Sequence, residues 1–289
     1  MPELPEIEIT VRDLRKKVLK RAFIDIWTDF PKMVKRPTFE EFREKIKNKK
    51  IQRIWRRGKN IIFDLSDGFS LLIHQKLTGH LLVGHWENVR GQWQAKEKGP
   101  LLNDPMNRFL HLIFWLDDGK MLALSDLRKF AKVELWKTKE LLESEEIKEI
   151  GPEPLDRNFT FSKFKDILPK RGKIKQILMN QKIIAGIGNI YSDEILFEAR
   201  INPFKDVSKL SEKELKEIFK AIKKILKKGI ELQGASISDY RKISGAKGRF
   251  DEFRKVYRRE GEKCPRCGTI IQLKKIGGRS AHYCPTCQK

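Results

Sequence analysis

Apolar positions near the N-terminus recur at helical spacing. Ile7, Val11, Leu14 and Val18 are separated by four, three and four residues, which predicts one buried stripe on a helix over 5–19. Pro5 suits the first turn of such a helix, and Glu6 and Glu8 complement the positive end of its dipole. The period then changes. Between 22 and 136, short runs separated by turn signals predict strands at 23–27, 51–57, 60–65, 69–74, 110–116, 121–125 and 132–136. Asp67-Gly68 and Asp118-Gly119 fall between such runs and signal hairpins. Several short strands joined by tight turns predict an antiparallel sandwich or barrel.

From 137 to 158 the chain is charged, has no clear apolar period and contains Gly151-Pro152-Glu153-Pro154, so it reads as a linker. Helical spacing follows. Ile174, Ile177 and Leu178 mark one helix, and Ile190, Ile195 and Leu196 a second. Leu215, Ile218, Phe219, Ile222, Ile225 and Leu226 mark a longer third, ending near Gly229. The stretch 250–289 is too short for a hydrophobic core of its own. The expected class is α+β: a sandwich domain over 2–136, a linker over 137–158, a helical domain over 159–249 and a small module over 250–289.

Charge narrows the choice of partner. Among 289 residues, 62 are Lys or Arg and 39 are Asp or Glu, giving a formal net charge of +23. A folded chain this basic points to a polyanion, first of all nucleic acid. The other reading is a lysine-rich surface that is merely solvated. No apolar run approaches the ~18–20 residues of a membrane span. The N-terminus has neither the basic start nor the apolar stretch of a secretory signal. The expectation is a soluble cytoplasmic protein without a membrane partner.

All four cysteines lie in the last 26 residues, as Cys264/Cys267 and Cys284/Cys287, with 16 residues between the pairs. Two such knuckles give four thiolates to one tetrahedral Zn²⁺. Four thiolates leave no open position, so the expected ion is single, structural and non-catalytic. From 254 to 289 ten basic residues face two acids, and Arg279 lies between the cysteine pairs on a predicted β-hairpin. Such a hairpin can grip phosphates.

Chemistry is concentrated at the other end. Met1 precedes Pro2, a small residue of the kind exposed when the initiator methionine is trimmed. A freed Pro2 is a secondary amine; an α-amino group has a pKa of about 7.7–8.0, far below that of lysine, so more of it is unprotonated at neutral pH. It can attack a sugar carbon and form an iminium, an electron sink that is cationic without an added proton. Glu3 and Glu6 sit beside it and can serve as general acid or base. Each residue also has an ordinary reading, Pro2 as a second residue and Glu6 as a helix-start acid.

Five motifs occur together in one order: MPELPEIE, Arg56-Arg57-Gly58-Lys59, Gly151-Pro152-Glu153-Pro154-Leu155, Ala185-Gly186-Ile187-Gly188-Asn189-Ile190-Tyr191, and the four-cysteine tail. As a set they resemble the formamidopyrimidine-DNA glycosylase/endonuclease VIII family, over nearly the whole chain. The resemblance implies a β-sandwich with flanking helices, a helix-two-turn-helix domain and a zinc finger. It implies a bifunctional glycosylase/AP lyase of base excision repair, acting as a monomer on damaged double-stranded DNA in the bacterial nucleoid. Pro2 would be the nucleophile, Glu3 the general acid, Glu6 a supporting carboxylate, and Lys59 a turn lysine that contacts phosphate and assists catalysis. Asn189 and Arg279 match phosphate-binding positions.

Two motifs that fill the hole left by a flipped base are altered here. The family's HLGMTG reads His74-Gln75-Lys76-Leu77-Thr78-Gly79, so Leu77 replaces the methionine wedge and Lys76 a glycine. The family's DPRRFG reads Asp126-Leu127-Arg128-Lys129-Phe130, which keeps Arg128 and Phe130. His74, Leu77, Arg128 and Phe130 therefore join Asn189 and Arg279 as expected DNA contacts. Leu77 and Phe130 could instead be core residues. Leu4, and a segment at 234–248 resembling the loop that closes over 8-oxoguanine, favour oxidised purines. The alternatives are the same chemistry on oxidised pyrimidines, and a non-catalytic zinc-finger binder of damaged DNA.

Overall fold

The computed structural model describes residues 1–96, 98–236 and 240–289. Ile237, Ser238 and Asp239 of the expected capping segment lie outside the described residues. The chain forms two compact units, 1–148 with 233–251, and 149–232 with 252–289. The segment 233–251 thus returns to the first unit, whereas the sequence division keeps it with the helices.

In the first unit, α1 (Leu4–Lys17) buries Ile7, Val11 and Leu14 as its spacing requires, and Val18 follows them into the core. Then come β1 (Phe23–Thr28), β2 (Val34–Arg36), α2 (Phe39–Ile46), β3 (Ile51–Arg57), β4 (Asn60–Leu65), β5 (Phe69–His74) and β6 (His80–Gly84). They are followed by β7 (Trp86–Val89), β8 (Gln92–Ala95), β9 (Leu110–Leu116), β10 (Met121–Ser125) and β11 (Lys132–Lys137). Two sheets result, ordered β1-β9-β10-β6 and β2-β11-β5-β4-β3. All their pairings are antiparallel except the short β2–β11 pair. Phe23, Phe114, Leu124, Phe63, Leu71 and Val133 from both sheets share one core with α1 and α2.

Both outer faces are covered as well. The β7–β8 hairpin turns at Arg90-Gly91, where φ is +52° and +85°, and lays Trp86 and Trp93 over the four-stranded sheet. Two short helices, α3 (Thr138–Glu143) and α4 (Glu145–Lys148), lay Leu141 and Ile147 on Ile62 and Leu72 of the other sheet. That is why β4 and β5 read as almost unbroken apolar runs rather than as clean alternation. The same helices occupy part of the stretch read from sequence as linker. The helix α2 had gone unread although Phe39, Phe42 and Ile46 carry helical spacing and the Thr38 hydroxyl accepts the Glu41 N–H at 3.4 Å.

The second unit contains α5 (Phe161–Asp166), α6 (Ile174–Met179), α7 (Asn189–Ala199) and α8 (Glu212–Glu231), then the hairpin β12 (Gln272–Ile276) and β13 (Arg279–Tyr283). Phe159, Phe161, Phe164 and Phe219 pack ring against ring beneath α8. A reciprocal Ser211/Glu214 capping box starts that helix. The helix ends at Glu231, close to Gly229 as expected, and Gly229 is buried within its last turn. Among the described residues, no helix is long and apolar enough to cross a membrane.

Candidate active site and nucleic-acid interface

The first turn of α1 is built around two acids. Glu3 and Glu6 are each 1% exposed, and Pro2 beside them is buried too. Glu3 is the N-cap residue and forms a capping box with Glu6, whose Oε2 accepts the Glu3 N–H at 2.8 Å. The other oxygen of Glu6, Oε1, accepts the Ala235 N–H at 2.8 Å. Gly234 has φ +80°, and a Cβ there would stand 2.9 Å from Glu6 Oε1, so only glycine lets the chain approach this carboxylate. Tyr240 is buried, which pushes its phenol up and keeps it protonated. Its hydroxyl donates to the Glu6 carbonyl at 3.2 Å. Through Ala235 and Tyr240 the 233–251 segment is therefore fastened to the helix turn that carries the two acids.

A cationic row stands on the five-stranded sheet. Gly58, at φ +55°, and Lys59 form the two-residue turn between β3 and β4, and Lys59 is only 6% exposed. Arg56 reaches from β3 to Glu8 at 2.9 Å and ties the turn's strand to α1. Burial alone would raise the Glu8 carboxyl, but hydrogen bonds and charge from Arg56 and Arg12 hold it below its usual range. His74 pairs with Asn60 on β4 and with Lys132 on β11. Burial, then the charges of Lys76, Lys59 and Lys132, push its imidazole down to about 3. The ring is neutral, and its Nδ1 accepts the Lys76 N–H at 2.9 Å. The proton consequently sits on Nε2, which leaves a neutral donor among cations, suited to a phosphate oxygen.

The expected wedge residues stand nearby in the chain. Leu77 is half-buried in the loop between β5 and β6. Phe130 is 49% exposed, so it is not a core residue, and the Arg128 guanidinium lies 4.6 Å from its ring centroid.

In the second unit Asn189 opens α7 directly after Gly188. Its Nδ2 donates to Ser280 Oγ at 3.0 Å, while its Oδ1 has no hydrogen-bond partner among the described residues. Gln181 shapes the preceding loop, donating to the Met179 and Ile187 carbonyls and accepting the Gly186 N–H, each at 2.8 Å. Gly151 packs so closely on Ile183 that a Cβ would lie 2.5 Å from its backbone. This accounts for the glycine of the Gly151-Pro152 motif. The turn Gly277-Gly278, with φ +53° and +75°, leads into exposed Arg279 at the start of β13.

Beneath that hairpin lies an ion network. Lys175 and Asp193, both inaccessible, pair with each other. Lys175 Nζ also donates to the Ser280 carbonyl at 2.7 Å, and Asp193 Oδ2 accepts the His282 N–H at 3.0 Å. A buried pair is costly unless its remaining hydrogen bonds are met, and here β13 meets them. Nearby, the Sγ atoms of Cys264, Cys267, Cys284 and Cys287 lie within 4.8 Å of one another.

Comparison with known proteins agrees with these features. Residues 1–133 match the formamidopyrimidine-DNA glycosylase N-terminal domain, 150–241 its H2TH domain, and 261–289 the zinc finger found in FPG and IleRS. The formamidopyrimidine-DNA glycosylase of Pelotomaculum thermopropionicum is 41% identical over 290 residues, covering 100% of this chain and 99% of that one. The Carboxydothermus hydrogenoformans enzyme of that name is 40% identical, with all of both chains covered. The chain belongs to the formamidopyrimidine-DNA glycosylase family. Among solved structures, the Lactococcus lactis Fpg bound to DNA containing an abasic site superposes with a TM-score of 0.87 at 36% identity, covering 99% of each chain. The same enzyme bound to DNA containing an oxidised pyrimidine gives 0.86 at 36%, covering all of both chains.

Family membership makes the cysteine cluster a zinc-finger site, and its geometry fits. Zn–S bonds of about 2.3 Å in a tetrahedron place sulfurs about 3.8 Å apart. Two of the separations here are 3.5 and 3.9 Å, far from a disulfide bond. The ion would hold the two knuckles together and supply no chemistry to a substrate.

The departure at Lys76 has a structural signature. Lys76 has φ +52°, a left-handed conformation that glycine adopts freely and lysine does not. Lys76→Gly keeps the backbone donor to His74 and removes this strain. The variant is expected to be more stable by about 0.5 kcal/mol, read as a higher thermal midpoint of the first unit. A lower midpoint would show that the lysine side chain contributes more than its backbone costs.

Proposed function

We propose that this family member is a bifunctional DNA glycosylase/AP lyase that removes oxidised purines, 8-oxoguanine and formamidopyrimidines, from duplex DNA. The observation that carries the reading is the N-terminal turn: Pro2 buried beside two buried carboxylates, in a chain of net charge +23. Once Met1 is removed, the Pro2 nitrogen attacks C1′ of the damaged nucleotide as the bond from C1′ to the base breaks. Glu3 donates a proton as the sugar ring opens. Glu6, held on both oxygens, keeps the turn in place. The iminium acidifies the C2′ and then the C4′ hydrogen. A base, the Glu3 carboxylate left after ring opening or water, takes each proton, the phosphates on the two sides leave in turn, and water hydrolyses the iminium to free Pro2.

Lys59 and the Nε2–H of His74 would hold the phosphate beside the flipped nucleotide. Asn189 and Arg279 would grip backbone phosphates, and Leu77, Arg128 and Phe130 would fill the vacated position in the stack. We read the protein as a monomer working on DNA in the bacterial cytoplasm. Leu4 and the 234–248 segment support purines. The oxidised-pyrimidine complex of the L. lactis neighbour makes the lesion a matter for direct measurement.

Borohydride trapping on duplexes carrying 8-oxoguanine, formamidopyrimidine or an oxidised pyrimidine tests the reading. Covalent complex is expected on all three, formed fastest with the purine lesions. Trapping fastest on the pyrimidine would replace the substrate assignment. Lesion binding without any trapped complex would replace the enzyme by a non-catalytic binder.

A further inference from the structure

We propose that Thr78 and Asp126 form a clasp that sets the two wedge-bearing loops as one piece and so positions Leu77, Arg128 and Phe130 for the displaced base's place. The inference rests on the void-filling reading of those three side chains. The two loops leave neighbouring strands at the same end of a sheet, since His80 at the start of β6 pairs with Ser125 at the end of β10. Asp126 is inaccessible and Thr78 is 8% exposed, whereas Leu127 and Phe130 next to them are 46% and 49% exposed. A polar joint therefore lies underneath apolar tips.

The joint is fully specified. Thr78 Oγ1 donates to Asp126 Oδ1. The same hydroxyl oxygen accepts the Arg128 N–H at 3.1 Å, which Asp126 Oδ1 shares at 3.2 Å. Asp126 Oδ2 accepts the Ala131 N–H at 2.7 Å. The Asp126 bonds to 128 and 131 shape its own turn and would occur in any such loop. The bond from Thr78 does not belong to that turn, because it comes from 48 residues away.

The backbones leave no slack around the joint. A Cβ at Gly79 would meet Gln75 O at 2.4 Å and the Ala131 Cβ at 3.2 Å. Lys76 and Lys129, one in each loop, are both held at left-handed φ, +52° and +56°. Non-glycine residues persist there only where surrounding contacts fix the conformation. A flipped base is replaced by rigid side chains only if their supports are rigid, which the clasp provides.

The test uses the full-length zinc-loaded enzyme in single turnover. Two substrates are compared, a lesion-bearing duplex that needs the wedges and an abasic single strand that has no stack to fill. Thr78→Val keeps the shape of the side chain and removes the hydroxyl. It should slow duplex cleavage about tenfold, the loss typical of one buried hydrogen bond with a charged partner, and leave single-strand nicking within about twofold. Thr78→Ser should restore duplex cleavage. Equal loss on both substrates, or none on either, overturns the clasp. Leu77→Ala separates the two readings. Duplex cleavage at full rate in that variant rejects the wedges and the clasp with them. A slow Leu77→Ala beside an unaffected Thr78→Val rejects the clasp alone.

Discussion

A chain that keeps any residue ahead of Pro2 is expected to lose borohydride-trapped complex with abasic duplex by at least about a thousandfold, the scale on which enzymes fail without their nucleophile. Its affinity for the same duplex should change by less than about fivefold. The reason is electronic. As a free terminus the proline nitrogen is a secondary amine with an available lone pair. Acylated by a preceding residue it becomes a tertiary amide whose lone pair is delocalised into the carbonyl. Crowding by the extra residue would instead show as a loss of affinity for the duplex. Preparations with and without the added residue, compared by intact mass and trapping yield, decide the matter. Undiminished trapping by the blocked chain would move the nucleophile to a lysine, with Lys59 the first candidate.

The second large effect concerns the metal. Stripping zinc, or making Cys284→Ser, should unfold 261–289 and weaken duplex binding on the order of a hundredfold at moderate salt. The apolar support for this segment is small. One cluster holds Phe197, Val256, Cys264, Ile271 and Cys284, with Cys287 against them, and Ile276, Ala281 and Tyr283 are buried as well. Ordering costs about 1–2 kcal/mol per residue in backbone entropy, more than so small a cluster offsets over nearly thirty residues. The thiolate–metal bonds supply the difference. On the proposed role of Arg279, loss of the finger removes it and its basic neighbours from the phosphates, so the salt dependence of binding should become shallower as well. Proteolysis confined to the finger, with a cleavage-resistant first unit, is the expected companion observation. A metal-free chain that binds as tightly as the loaded one would exclude this role.

Much of this architecture could be read from the sequence because its signals are local. The spans 51–57, 60–65, 69–74, 110–116 and 121–125 are the observed strands; the first four hold β-branched and aromatic residues, and the last is an apolar run that follows the Asp118-Gly119 turn. The knuckle spacing gave the metal site in the same way. The β7–β8 hairpin was hidden because Glu87, Asn88, Gln92 and Gln94 face outward and only Trp86, Trp93 and Ala95 mark its packing side. The strand β6 was absorbed into the neighbouring wedge motif. The contacts of Gly234 with Glu6, of Lys175 with Asp193 and of Thr78 with Asp126 leave no periodic trace. They join residues far apart in the chain, and only the folded backbone brings them within bonding distance.

The Lys175–Asp193 pair has a mechanical corollary. Asn189 begins the helix that bears Asp193, and Arg279 begins the strand whose Ser280 and His282 take the pair's remaining hydrogen bonds. Asn189 is itself bonded to Ser280 at 3.0 Å. The span between these two polar fingertips is thus a fixed gauge, machined into the interior before any duplex arrives. On the proposed phosphate contacts of Asn189 and Arg279, a duplex out of step with that gauge would have to yield in its own curvature, and a weakened, poorly stacked site yields most cheaply.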